Sequence, residues 1–209
     1  GVLKAGCIAV NVNPLYTARE LHNQLADSGA KVVIIAETFG KTLEEAIPGT
    51  AVETVISTGI ADLFPFFKRT LVNFAVKYVK KMITPFSVPH LVRFRDALSQ
   101  GHSSGFRPVP LKNTDVALLQ YTGGTTGVAK GAMLTHRNVL ANVEQTGTWI
   151  SQTFVIGKET ALTVLPLYHI FSFTATLCFL KRAARQVLIA DPRDINHVID
   201  EFEKWKPSA

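Results

Sequence analysis

The sequence predicts an α/β fold, a mostly parallel sheet with flanking helices. Two observations predict it. Short apolar runs suited to strands, such as KVVIIA (residues 31–36), TALTVL (160–165) and QVLIA (186–190), alternate with stretches of helical periodicity. That alternation is how parallel strands are joined. The chain is also apolar enough to fill a core: 47% of its 209 residues are hydrophobic and 18% are charged.

The elements follow in order. Residues 2–12 read as the end of a helix and then a buried strand, Cys7-Ile8-Ala9-Val10, broken by Asn13-Pro14. Thr17 to Glu20 is a capping-box pattern that opens a helix to about Ser28, with Gly29 as its stop. Residues 31–36 are a continuous apolar run, as in a strand buried on both faces. Residues 41–47 are helical up to Pro48-Gly49, and 52–57 form a further strand. Residues 64–83 have apolar positions spaced by three and four, interleaved with Lys68, Arg69, Lys77, Lys80 and Lys81. Such a basic amphipathic helix reads either as a membrane-surface element or as an ordinary packed helix with a solvated face. Pro85, Pro89, Gly101 and Gly105 mark a loop-rich connection. Beyond residue 116 come a strand, a glycine-rich loop, a second apolar run at 132–134 and a helix from about Asn138, with Thr135 or His136 near its start. A strand at 160–165, a buried helix at 169–179, a strand at 186–190 and an amphipathic helix at 194–204 complete the chain.

The loop reads Tyr121-Thr122-Gly123-Gly124-Thr125-Thr126-Gly127-Val128-Ala129-Lys130-Gly131. Glycines let amide N–H groups turn into a concavity, threonine hydroxyls can reach a metal, and lysine adds a mobile positive charge. Such a set suits a polyphosphate. It is not a Walker A loop, because Lys130 is followed by Gly131 rather than Ser or Thr and an apolar strand follows rather than a helix. The bland alternative is a surface hairpin loop.

This motif resembles the signature of the adenylate-forming superfamily, which includes acyl-CoA synthetases, luciferases and peptide-synthetase adenylation domains. Gly123 stands where that signature usually has Ser or Thr, and Ala129 where it has Pro. Both departures, and the run from Met133 to Gln145, are similar to bacterial long-chain fatty acyl-CoA synthetases. Residues 13–34 also resemble a stretch that precedes the loop in acyl-CoA synthetases. The resemblance implies part of the large N-terminal domain of an adenylate-forming enzyme. It implies a nucleotide site made by Tyr121, Thr122, Gly123, Gly124, Thr125, Thr126, Gly127 and Lys130. Thr125 would contact Mg²⁺, while Gly124, Thr126 and Gly127 would wrap the β- and γ-phosphates of ATP.

A second motif, Leu165-Pro166-Leu167-Tyr168-His169-Ile170-Phe171, follows the 160–165 strand. Ligands in open α/β sheets sit beyond the carboxyl ends of strands. It resembles the Pro-x-x-His motif of the same superfamily, which implies that His169 orients the substrate carboxylate or a phosphate oxygen. Lys130, His169 and Thr125 are therefore the implied catalytic set. Phe171 and Phe173 are either acyl-tunnel lining or plain core. A lone histidine in an apolar run is otherwise more often a core residue. His22 reads as solvent-facing on the first helix.

Charge and cysteine bound the rest. Residues 62–95 hold seven basic side chains against Asp62 alone, which accounts for the net charge of +6. A basic segment of this kind in an otherwise neutral chain argues against a nucleic-acid partner. Cys7 and Cys178 lie in apolar runs without metal spacing, the pattern of buried free thiols in a reducing cytosol. No basic start with an apolar core and cleavage site opens the sequence, and no apolar run reaches the ~18 residues of a spanning helix.

The resemblance implies ATP-dependent activation of a long-chain fatty acid and transfer to coenzyme A. The sequence is read as an internal fragment of such an enzyme, inactive alone. The later Tyr-Gly-x-Thr-Glu motif, a ribose-binding Asp and the C-terminal lid domain with its Lys are absent from it. Residues 1–209 are then a partial AMP-binding domain, with 62–105 as a basic segment that contacts a membrane through 64–83. Further expectations are peripheral attachment at the cytoplasmic face of the membrane and a homodimer of the full-length enzyme. Lys181 to Arg185 depart from relatives, which usually carry glycines and apolar residues there. A fatty acyl-AMP ligase or other adenylating enzyme, and a non-enzymatic nucleotide-binding or membrane-associated module, remain alternative readings.

Overall fold

The computed structural model describes residues 1–122 and 129–209. They form two compact units. One comprises residues 1–11, 110–122 and 132–209. The other comprises 12–109 and, among the described residues, 129–131.

The unit built on 12–109 begins with α1 (Ala18–Ser28). Its start is a complete capping box. The Thr17 hydroxyl accepts from the Glu20 N–H at 3.3 Å, and the Glu20 carboxylate accepts from the Thr17 N–H at 2.8 Å. These bonds to the backbone and hydroxyl of Thr17 hold the Glu20 carboxyl below the usual range. Gly29, at φ +62°, ends the helix in the left-handed region that glycine enters without a Cβ clash. Helix α1 packs on α2 (Gly40–Ala46). His22, expected to face solvent, instead shares a hydrogen bond between its Nδ1 and the Ala46 carbonyl at 2.9 Å.

Three strands pair in parallel in the order β2 (Val32–Ala36), β3 (Thr54–Thr58), β4 (Leu91–Arg93). The register sets Val33 opposite Val55 and Ile56 opposite Val92. Leu21, Leu25, Leu43, Ala46 and Val55 form the core, with Val33 and Ile35 packed against them. Strand β2 is not buried on both faces as its apolar run suggested. Side chains alternate across a strand, and Val32 and Ile34 project away from this core and are half exposed. The next helix, α3 (Phe66–Phe74), continues into a π-helical turn at Ala75–Val79. The expected loop at 85–105 is instead β4 followed by α4 (Phe94–Ser104). Gly101 lies inside α4 with open space where a Cβ would stand, so it breaks the pattern of the sequence but not the helix.

In the other unit β5 (Val116–Thr122) is the middle strand of the order β1 (Ala9–Val10), β5, β6 (Lys130–Thr135). Strands β1 and β5 are parallel, with Ala9 opposite Leu118. Cys7 is exposed, and the first strand is two residues long rather than four; Cys178 is buried as expected. Helix α5 (His136–Ile150) has Thr135 as its N-cap, which accepts from the Asn138 N–H at 3.2 Å. Strands β7 (Thr160–Thr163) and β8 (Arg185–Leu188) are parallel and joined through α6 (Ile170–Lys181), a β-α-β unit, and α7 (Ile195–Trp205) follows. Helix α6 packs on α5, β7 and β8 but leaves Phe171 and Leu180 exposed, so it is less buried than its composition suggested.

The atypical basic run after α6 has a structural role. Lys181 pairs with Glu144, and the Arg182 guanidinium donates to the Gly147 carbonyl, so both side chains reach α5. Ala183 then turns the chain at φ +53°.

Two outcomes follow from this packing. Leu43→Ala empties a fully buried site and should lower unfolding free energy by about 3 kcal/mol in urea denaturation. Ala183→Gly should raise it by about 1 kcal/mol, because the left-handed conformation carries a Cβ clash that glycine lacks; a lower midpoint would refute strain at this turn.

Candidate functional site

The site is built from the carboxyl end of β5 upward. Ala117 and Leu118 are fully buried, Tyr121 is buried and Thr122 is exposed, so the strand passes from core to surface within two residues. The tail of the motif reappears at Lys130, the exposed first residue of β6, which groups with the unit built on 12–109. Gly123, Gly124, Thr125, Thr126 and Gly127, all expected to hold nucleotide, lie outside the described residues.

The second motif is placed at the same end of its unit. Beyond β7 the chain turns through Leu165 to His169, where the His169 N–H donates to the Pro166 carbonyl at 3.0 Å, and enters α6. His169 is the N-cap of that helix. Its Nδ1 accepts from the Phe171 N–H at 3.3 Å. An Nδ1 used as acceptor carries no hydrogen, so in the neutral ring the proton is on Nε2. The ring is exposed, not core. Its geometry therefore presents an N–H donor beside the first turn of α6, where amide N–H groups and the helix dipole favour an anion.

Gln120 was not singled out from the sequence. It is 93% buried in β5, and its Nε2 donates to the carbonyls of Tyr121 at 3.2 Å and Tyr168 at 3.4 Å. One amide thus joins the two motifs, which are 48 residues apart. Its Oε1 has no partner among the described residues. Ser172 adds a second tie, its hydroxyl donating to the Leu165 carbonyl at 2.9 Å. A glutamine within an apolar strand is the one signal that could have marked the position.

Next to the turn, α5 and α6 flank an apolar groove of about 720 Å³ lined by Val139, Phe171, Thr174, Ala175, Cys178 and Phe179 among others. That volume lies in the range of small-molecule sites. Phe171, one of the two expected acyl-lining residues, is on its wall; Phe173 is not. Among the described residues no three His, Cys, Asp or Glu gather as a metal set.

The family model of AMP-binding enzymes matches residues 1–209, the whole chain. The chain belongs to that family. Its relatives include the long-chain-fatty-acid–CoA ligase of Escherichia coli O157:H7, 48% identical over 206 residues, or 98% of this chain and 37% of that protein. The ligase of Haemophilus influenzae is 48% identical over 210 residues, 99% of this chain and 37% of that protein. The chain thus spans little more than a third of these relatives. Among solved structures, a long-chain-fatty-acid–CoA ligase (FadD1) from Archaeoglobus fulgidus superimposes with a TM-score of 0.69 at 22% identity, covering 99% of this chain and 35% of that one. The anthranilate CoA ligase AuaEII in complex with anthranoyl-AMP gives 0.73 at 18% identity, covering 99% of this chain and 35% of that one. The fold class read from the sequence, an α/β N-terminal domain of an adenylate-forming enzyme, is therefore the fold observed.

Gln120→Glu turns a carboxylate oxygen toward two carbonyl oxygens. It should cost about 2 kcal/mol at pH 7, read from the denaturation midpoint. An unchanged midpoint would show that the amide does not hold the Tyr168 turn.

Proposed function

We propose that the protein carrying these residues activates a long-chain fatty acid with ATP and passes the acyl group to coenzyme A. The single observation that carries this reading is the identity of 48% to long-chain-fatty-acid–CoA ligases over 98% of the chain, with the Tyr121–Gly131 motif inside it. In the first step a fatty-acid carboxylate oxygen attacks the α-phosphorus of ATP. The bond to the bridging oxygen breaks, and acyl-adenylate and pyrophosphate form. In the second step the coenzyme A thiolate attacks the acyl carbon and AMP leaves, giving the thioester.

The residues serve these steps through charge and hydrogen bonding. The transition state of the first step spreads negative charge over phosphate oxygens, which placed N–H groups, hydroxyls and a lysine stabilise. Tyr121, Thr122, Gly123, Gly124, Thr125, Thr126, Gly127 and Lys130 are the proposed nucleotide set, with Lys130 countering the developing charge. Thr125 is the proposed contact to Mg²⁺. His169 donates from Nε2 to the substrate carboxylate or to a phosphate oxygen, and its Nδ1 bond to the Phe171 N–H supports that role. The groove between α5 and α6, apolar and open at Phe171, is the proposed seat of the alkyl chain. In this reading residues 1–209 are a partial adenylation domain.

The test uses the protein that carries these 209 residues, supplied with palmitate and ATP–Mg²⁺, with and without coenzyme A. Acyl-CoA, AMP and pyrophosphate should form together only when coenzyme A is present at turnover levels. Stable release of acyl-adenylate whether or not coenzyme A is added would identify a fatty acyl-AMP ligase instead. No pyrophosphate release under either condition would reject adenylation. His169→Ala and Lys130→Ala should each lower kcat/KM by roughly 10²-fold.

A further inference from the structure

Helix α3 and its π-helical extension turn their aromatic side outward. Phe67, Leu71 and Phe74 stand at i, i+4 and i+7, within about 60° of arc on a helix of 3.6 residues per turn, and Tyr78 prolongs the line. Their exposures are 86%, 70%, 56% and 59%. The opposite face is the packed one: Val72 and Asn73 are half buried and Val76 is buried. An ordinary surface helix does the reverse and buries its larger apolar side chains.

Polar contacts hold this rotation. The Asn73 Nδ2 donates to an Asp62 carboxylate oxygen at 3.3 Å, and its Oδ1 accepts from the Ala61 N–H at 3.2 Å. Asp62 in turn accepts from the Gly59 N–H at 2.8 Å and the Thr58 hydroxyl at 3.3 Å. Turning the aromatic stripe inward would break this set. The same set engages the one carboxylate of residues 62–95, so the outer face carries basic charge only. Lys68 and Lys77 flank the stripe on its two sides, with Lys80 and Lys81 at its end. Lys68 Nζ lies 4.6 Å from the Phe64 ring centroid and Lys77 Nζ 5.5 Å from that of Tyr78, so both stems run along aromatic surface.

We infer that the stripe Phe67–Leu71–Phe74–Tyr78, with Lys68, Lys77, Lys80 and Lys81 around it, is a docking surface for an anionic lipid bilayer. The charge pattern chooses the occupant. A protein partner would meet a narrow aromatic ridge ringed by uncompensated cations. A negatively charged lipid surface takes the rings between acyl chains and the ammonium groups at the phosphates. Attachment is peripheral, since among the described residues no helix is long and apolar enough to cross a membrane.

The experiment is flotation of the 209-residue chain with vesicles of phosphatidylglycerol and phosphatidylethanolamine, and with vesicles of phosphatidylcholine alone. It is read without ATP, fatty acid or coenzyme A, so it stands or falls apart from the ligase reading. Binding to the anionic vesicles should be at least about tenfold tighter and should weaken as salt is raised, each lysine near the surface contributing roughly fivefold. Phe67→Ser with Leu71→Ser, at exposed positions that leave the packed face intact, should abolish flotation while circular dichroism is unchanged. Lys77→Glu with Lys80→Glu and Lys81→Glu should remove the preference for anionic lipid. Equal binding to both vesicle types, binding that survives both variants, or no binding at all would overturn the inference. So would sedimentation showing that the serine pair instead disperses a self-associated chain.

Discussion

Ala117 and Leu118 of β5 have almost no contact with water, and the strand's apolar burial is what aims the chain at the candidate site. A strand buried this deeply must pair its backbone on both edges, because an unsatisfied amide in the interior costs free energy comparable to a lost hydrogen bond. Strands β1 and β6 supply those edges. With the pairing set, the next residues, Gln120 to Thr122, have one way out of the core, at the carboxyl end. The glycine- and threonine-rich sequence begins there because the strand ends there. Burial of the Ala117 and Leu118 side chains therefore fixes where Gln120 to Thr122 leave the core.

Buried polar side chains then do what apolar packing cannot, which is to set particular backbone turns. Apolar contacts are tolerant of small displacements, whereas a hydrogen bond weakens steeply with angle and distance. Gln120 holds the Tyr168 carbonyl, Ser172 holds the Leu165 carbonyl, and the His169 ring caps α6. Each acts on the same five-residue turn. A histidine tied through Nδ1 has one remaining nitrogen for a ligand, so the cap that starts the helix also selects the tautomer. The groove beside it is apolar, in contrast to this hydrogen-bonding rim.

The same logic explains the unit built on 12–109. The capping box at Thr17 and Glu20 and the left-handed Gly29 bound α1, and the helix then meets α2 through Leu21 and Leu25. In α3 a polar clamp on Asn73 overrides the hydrophobic preference and leaves aromatic rings in water. Exposure of that kind is costly for a helix with no partner, and the cations beside it define what kind of partner would relieve it.

Much of this was legible in the sequence, and the reason is locality. A capping box needs four residues, a β-α-β unit needs two apolar runs around a periodic one, and the Tyr121–Gly131 loop carries its chemistry in consecutive residues. The sequence by itself therefore determined the α/β class, the bounds of α1, α5 and α7 to within about two residues, and the two motifs. Tertiary structure decided which face each element turns inward. Val32 and Ile34 look like core until the sheet acquires helices on the side of Val33 and Ile35. Cys7 looks buried until its strand proves to be two residues long, and α4 looks like loop because Gly101 interrupts it. Gln120 is an unremarked polar residue until Tyr168, 48 positions away, arrives beside it. Those outcomes depend on groups brought together by folding, and no short window of sequence contains both partners.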